Sequence, residues 1–131
     1  MNRTVLLIED NEQNRYLATF LLEKHGFTVV GASDGPRGIE LAKTMAPAII
    51  LLDIQLPSMD GYAVARALRE NAALDGIPII AVTSYAMSGD REKTMAAGCD
   101  GYIEKPIDPD RFVAEISQFL PSGQLSAPKS S

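Results

Sequence analysis

The stretch Ala48-Ile49-Ile50-Leu51-Leu52-Asp53 constrains this chain more than any other. An apolar run without polar alternation, bounded by Pro47 and Pro57, fits a parallel strand covered on both faces. The run stops abruptly at a carboxylate, so the expectation is a buried strand followed by an exposed acid. Asp53 then stands at the carboxyl end of a central strand. In open α/β sheets that edge binds ligands, in the crevice where the strand order reverses.

The remaining segments alternate strand and helix signals around this run. Thr4 to Ile8 is a short buried strand followed by Glu9-Asp10, and Asn11 can cap a helix with Leu17, Ala18, Leu21 and Leu22 at helical spacing. His25-Gly26 closes that helix. Phe27 to Ala32 reads as a second strand, and Asp34 with Pro36 opens a helix through about Met45. After the central run, Asp60-Gly61 marks a turn into a helix from Tyr62 to Glu70. Ile77 to Thr83 is a fourth strand, with Pro78 near its start, where a missing donor is tolerable. Ser88 to Ala97 forms a polar helix ended by Gly98, and Tyr102-Ile103 lies in a brief fifth strand. Asp108-Pro109 is expected to cap a last helix with Phe112, Val113, Ile116, Phe119 and Leu120 on its inner side.

Five strands alternating with five helices predict an α/β fold: a doubly wound, flavodoxin-like (βα)5 domain with a parallel sheet in the order 2-1-3-4-5. A chain of 131 residues supplies one such core and no second. The expected domain spans residues 1–120. Residues 121–131, rich in Ser, Pro and Gly, are expected to be a disordered tail.

Composition removes several function classes. No apolar segment is long enough to span a membrane, and the N-terminus runs straight into a strand without a secretory signal, so a cytoplasmic location is expected. The one cysteine, Cys99, cannot form an internal disulfide, which agrees with a reducing compartment. A net charge of −5 and the lack of a basic stripe argue against direct nucleic-acid binding.

Each strand delivers a polar group at its carboxyl end: Glu9 and Asp10, then Asp53, then Thr83, then Lys105-Pro106. Singly, each has a plain structural explanation. Glu9-Asp10 would suit the start of a helix, Thr83 is a β-branched strand residue and Lys105 a solvated loop cation. Jointly, they place three acids, a hydroxyl and an amine in one crevice. Two unit charges about 4 Å apart interact by roughly 4 kcal/mol at an effective dielectric near 20, so the carboxylates need a cation or raised pKa values. Hard oxygen ligands with room for water suit Mg²⁺ or Mn²⁺. A metal beside Asp53, with Lys105 and Thr83 opposite, makes a receptor for phosphoryl oxygens, and aspartate is a nucleophile in phosphoryl transfer.

The chain resembles a response-regulator receiver domain. The segments that carry the resemblance are Leu6-Leu7-Ile8-Glu9-Asp10-Asn11, Leu52 through Gly61, Ala81-Val82-Thr83-Ser84 and Gly101-Tyr102-Ile103-Glu104-Lys105-Pro106, in the family's order. They cover the chain from about Thr4 to Leu120. Within the family, the segments around Glu9, Asp53 and Tyr85 are similar to those of DivK-type single-domain regulators and hybrid-kinase receivers.

The resemblance implies that Asp53 is the phosphoacceptor, charged by a phosphohistidine on a sensor histidine kinase or histidine phosphotransfer protein. It implies Mg²⁺ bound by Asp10, Asp53 and the backbone carbonyl of Gln55, with Glu9 acting through water. Lys105 and Thr83 would meet phosphoryl oxygens, Tyr102 would be the aromatic switch, and the Lys105–Pro106 peptide would be cis. A downstream protein effector would dock on the face built from the fourth helix, fifth strand and fifth helix, with Met87, Met95, Tyr102 and Phe112 as contributors. His25, Cys99 and the methionines are expected to be structural rather than catalytic.

Three function classes follow from these residues. The leading one is a phosphorylation-driven switch without an output enzyme, either alone or as a receiver fragment of a longer multidomain regulator. A metal-dependent phosphatase is the second, but Gln55 occupies the place of the second aspartate expected of the haloacid-dehalogenase class. A flavodoxin-like binding module is the third, and the Gly-rich phosphate loop it would need after Ile8 is missing.

Overall fold

The computed structural model describes residues 3–56, 60–84 and 88–120, with the backbone alone for 88–90. Its strands are β1 (Thr4–Ile8), β2 (Thr28–Ala32), β3 (Ile49–Asp53), β4 (Ile79–Thr83) and β5 (Gly101–Glu104). Between and after them run α1 (Glu12–Lys24), α2 (Gly35–Met45), α3 (Gly61–Arg69), α4 (Ser88–Ala96) and α5 (Phe112–Ser117). All pairings are parallel, in the expected order β2-β1-β3-β4-β5.

The central run is buried throughout, as is β4, whereas the edge strands β2 and β5 are partly exposed. Successive strand residues point to opposite faces, so an unbroken apolar run is what two covered faces require. On one face Leu6, Ile8, Ile50, Leu52 and Ile79 pack with Ala42 of α2 and Val64, Ala65 and Leu68 of α3. On the other, Val5, Leu7, Ile49, Leu51 and Ile80 pack with Ala18, Leu21 and Leu22 of α1 and Phe112 and Ile116 of α5.

Side-chain caps start the helices close behind the strands and so keep the loops of the carboxyl edge short. Asn11 Oδ1 accepts from the Asn14 N–H at 2.8 Å, and Asp34 Oδ1 from the Arg37 N–H at 2.8 Å. Asp60 Oδ1 accepts from the Tyr62 N–H at 2.9 Å. Gly61 then brings α3 hard against the backbone of Ile54, where any Cβ would collide. At the other end of α1, Gly26 takes φ +89° and His25 Nδ1 lies 2.9 Å from the Leu21 carbonyl, a structural role for the lone histidine.

One expectation is corrected here, and one element is added. Asp108 does not cap α5: its Oδ1 accepts from the Asp110 N–H at 3.0 Å and closes a turn, so the helix starts only at Phe112 after an Arg111 N-cap without a side-chain bond. A short Ala72–Leu74 turn of 3₁₀ helix also follows α3, opened by Asn71 Oδ1 accepting from the Ala73 N–H. Cys99 is packed as expected, and burial, then Asp100, pushes its thiol up to about 12, leaving no thiolate near neutrality. Among the described residues no helix is long and apolar enough to cross a membrane. Tyr85, the contribution expected of Met87 and the tail expected over residues 121–131 lie outside the described residues.

Candidate metal centre at the carboxyl edge

Register brings the strand ends level. Ile8 pairs with Leu52, Asp53 with Val82 and Thr83 with Glu104, so the residues at and just beyond these ends face one crevice. One carboxylate oxygen from each of Glu9, Asp10 and Asp53 lies within 4.8 Å of the others. The expected convergence of acids is therefore present.

The expected exposure of Asp53 is not. Asp53 is only 2% exposed and Glu9 4%, while Asp10 is on the surface. Burial is tolerable because every oxygen of the two buried acids has a donor. The Gln55 N–H donates to Asp53 Oδ1 at 2.9 Å, and Lys105 Nζ lies 3.2 Å from Asp53 Oδ2. The same ammonium lies 3.2 Å from Glu9 Oε1, and the Asn11 N–H donates to Glu9 Oε2 at 3.1 Å.

One lysine thus faces two buried carboxyls and a third at the rim. Burial, followed by a hydrogen bond and repulsion from Asp53, pushes the Glu9 carboxyl up to about 7, against the opposing pull of the Asn11 N–H and Lys105. Burial alone would lower the Lys105 ammonium, but Asp53 and then Glu9 outweigh it and hold it above its usual value. The cluster is short of positive charge, and its oxygens form the hard donor set that a small divalent cation takes.

The other named residues take different stations. Thr83 is buried at the end of β4, and its carbonyl accepts from the Lys105 N–H at 2.8 Å. The Lys105–Pro106 peptide is cis. Tyr102 is half-buried on β5, with the Arg91 guanidinium of α4 5.4 Å from its ring centre. A cleft of about 280 Å³ between α4, β5 and α5 is lined by Arg91, Met95, Tyr102, Ile103 and Phe119 among others. Met95 is exposed there, but Phe112 is 1% exposed and sits in the core against the sheet, so it cannot contribute to that surface.

Two contributors had gone unnoticed. Arg15 of α1 donates from Nη1 to the Glu9 carbonyl at 2.7 Å and ties down the acidic turn. The Gln55 side chain accepts from Ser84 across the crevice mouth. Neither has a periodic or spacing signal: Arg15 reaches a backbone carbonyl that any residue would offer, and Gln55 reaches a loop 29 positions away.

A parallel (βα)5 domain that gathers acids and a lysine around a buried aspartate at its switch point defines the receiver class, and the model of the response regulator receiver domain matches residues 5–117. The chain belongs to the response regulator receiver family of two-component signalling. The polar-differentiation response regulators DivK of Brucella ovis and Brucella anthropi are each 40% identical to it over 120 residues, covering 92% of this chain and 98% of theirs. The receiver domain of a Pseudomonas aeruginosa PAO1 sensor histidine kinase, solved with a magnesium ion in its active-site cleft, is 31% identical with a TM-score of 0.83, over 91% of this chain and 98% of that one. The Vibrio cholerae chemotaxis protein CheY4, at 23% identity and a TM-score of 0.88 over 92% of this chain and all of its own, shares the fold. Receivers are signalling switches rather than conventional enzymes.

Proposed function

We propose that the chain is the phosphoacceptor of a two-component phosphorelay, taking a phosphoryl group from phosphohistidine onto Asp53 and switching protein–protein contacts in the cytoplasm. The observation that carries this is the buried Asp53 carboxylate held between the Gln55 N–H and the Lys105 ammonium, within reach of two further acids. The donor is a sensor histidine kinase or a histidine phosphotransfer protein. The acting unit is the domain of residues 1–120, on its own or as the receiver of a longer regulator.

In the transfer an Asp53 oxygen attacks phosphorus. The P–O bond forms as the P–N bond breaks, and the imidazole nitrogen leaves with the electron pair and takes a proton. Lys105, 3.2 Å from Asp53 Oδ2, meets a phosphoryl oxygen, and the Thr83 hydroxyl donates to another. Asp10, Asp53 and the Gln55 carbonyl would hold Mg²⁺ directly and Glu9 through water; Mn²⁺ suits the same donors. Bound there, the ion would neutralise the acids and the incoming phosphoryl oxygens. Once Thr83 turns to the phosphoryl group, Tyr102 turns into the space it leaves, and the α4-β5-α5 cleft changes shape for a protein effector. The magnesium-bearing kinase receiver and the same acidic cluster here support the metal assignment.

Phosphotransfer from labelled candidate kinases, followed by mapping of the acid-labile phosphate, tests the proposal. Label on Asp53 is the expected result, and label on another residue, or none from any histidine donor, would overturn it.

A further inference from the structure

Gln55 is engaged at both ends. Its backbone N–H donates to Asp53 Oδ1 at 2.9 Å. Its side-chain Oε1 accepts both the Ser84 N–H at 2.9 Å and the Ser84 hydroxyl at 2.7 Å, which uses both lone pairs of that oxygen. Gln55 lies two residues beyond β3, and Ser84 is the first residue beyond β4. Backbone pairing of these neighbouring strands ends with the Ile54 N–H donating to the Val82 carbonyl at 3.1 Å, and the Gln55 side chain extends the link across the crevice mouth.

We propose that this Gln55–Ser84 clasp is a positioning device for the phosphoacceptor, resting on the acceptor role of Asp53 proposed above. By anchoring residue 55 to the β4 side, the clasp fixes the N–H that sets the rotation of the Asp53 carboxylate and so directs Oδ2 toward Lys105. A hydroxyl and an amide from one residue converging on one oxygen order a single side chain for two bonds, which lowers the entropic cost of the link. A loop position is where a small misplacement costs rate, because attack requires an aligned oxygen.

The test uses phosphoramidate as donor at saturating Mg²⁺. Gln55→Met keeps the length and loses the acceptor, Ser84→Ala loses the hydroxyl but keeps the N–H, and Ser84→Thr restores a hydroxyl. The maximal phosphorylation rate is expected to fall about 5-fold in Gln55→Met and about 2-fold in Ser84→Ala, with half-saturating donor unchanged and Ser84→Thr near wild type. The double variant Gln55→Met/Ser84→Ala should be no slower than Gln55→Met alone. In the metal-free protein, amide exchange at Gln55 and Ser84 should quicken in Gln55→Met while Ile54 keeps its protection. Wild-type rates in Gln55→Met, additive losses in the double variant, or unchanged exchange at both amides would each overturn the clasp. If the wild-type chain takes no phosphate on Asp53, the acceptor role fails instead, and the exchange data decide the clasp alone.

Discussion

The two edges of the same sheet each carry an ionic cluster, and they are balanced differently. At the amino edge, Arg69 donates to the Gly98 carbonyl at 2.9 Å, to the Leu74 carbonyl at 3.2 Å and to Asp100 Oδ2 at 2.5 Å. The same Asp100 oxygen accepts the Ile79 N–H at 2.9 Å. One cation meets one acid: Arg69 ties α3 to the Ala72–Leu74 turn, to the loop after α4 and to Asp100 just before β5, and Asp100 in turn holds the start of β4. At the carboxyl edge, among the described residues, Lys105 is the one cation paired with Glu9 and Asp53, with Asp10 close by. A closed cluster fastens elements together, and one left short of positive charge costs stability until something cationic arrives. The shortfall falls at the edge that carries the proposed function.

The comparison breaks first on phosphoryl uptake. Asp53→Asn should abolish acid-labile phosphate, whereas Arg69→Ala should retain uptake within about 2-fold, since its bonds all lie at the far edge; equal losses in both would erase the distinction. Stability should divide the variants the other way. In urea melts of the metal-free protein, Arg69→Ala should lose about 2 kcal/mol by taking the donor from the Gly98 carbonyl and the cation from a half-exposed Asp100, while Asp53→Asn should gain about 1 kcal/mol by removing repulsion. Thr83→Ala should still take phosphate on Asp53 but lose most of a partner's phosphorylation-dependent gain, about tenfold or 1.4 kcal/mol, in affinity measured with and without a phosphoryl mimic.

The remaining contrast is in pH. A carboxyl raised from 4.5 to about 7 in the folded chain binds protons that the unfolded chain has lost, so its contribution is full below about 4.5 and fades as pH rises through about 7. Without metal, Glu9 therefore lowers the melting temperature by up to about 10 °C across that window, and Glu9→Gln should flatten the slope. With Mg²⁺ the slope should reverse, because the ion needs carboxylates free of protons. The same slope in Glu9→Gln as in wild type would place the titrating group elsewhere.

The sheet was legible in sequence because burial of β3 and β4 on both faces leaves an unbroken apolar run, and because Asn11, Asp34 and Asp60 are caps with local partners. The acids could be read because register alone carries strand ends to one edge. What sequence could not convey is which groups satisfy which. The burial of Asp53 depends on Lys105, more than 50 positions away, and the Arg69 hub depends on carbonyls of Leu74 and Gly98 that any residue would offer. Phe112 fits both the inner side of α5 and the effector face in sequence, and burial against the core face that α1 also covers decides for the first.

The most direct test of the charge shortfall is the melting temperature of the wild-type chain against Mg²⁺ concentration, beside Asp10→Asn and Arg69→Ala. Binding to the folded state alone, at ten times the dissociation constant, stabilises by about 1.4 kcal/mol, or about 5 °C for a domain of this size. The account predicts a saturating rise in wild type and in Arg69→Ala, and its loss in Asp10→Asn. A flat wild-type curve, or an equal rise in Asp10→Asn, would contradict it.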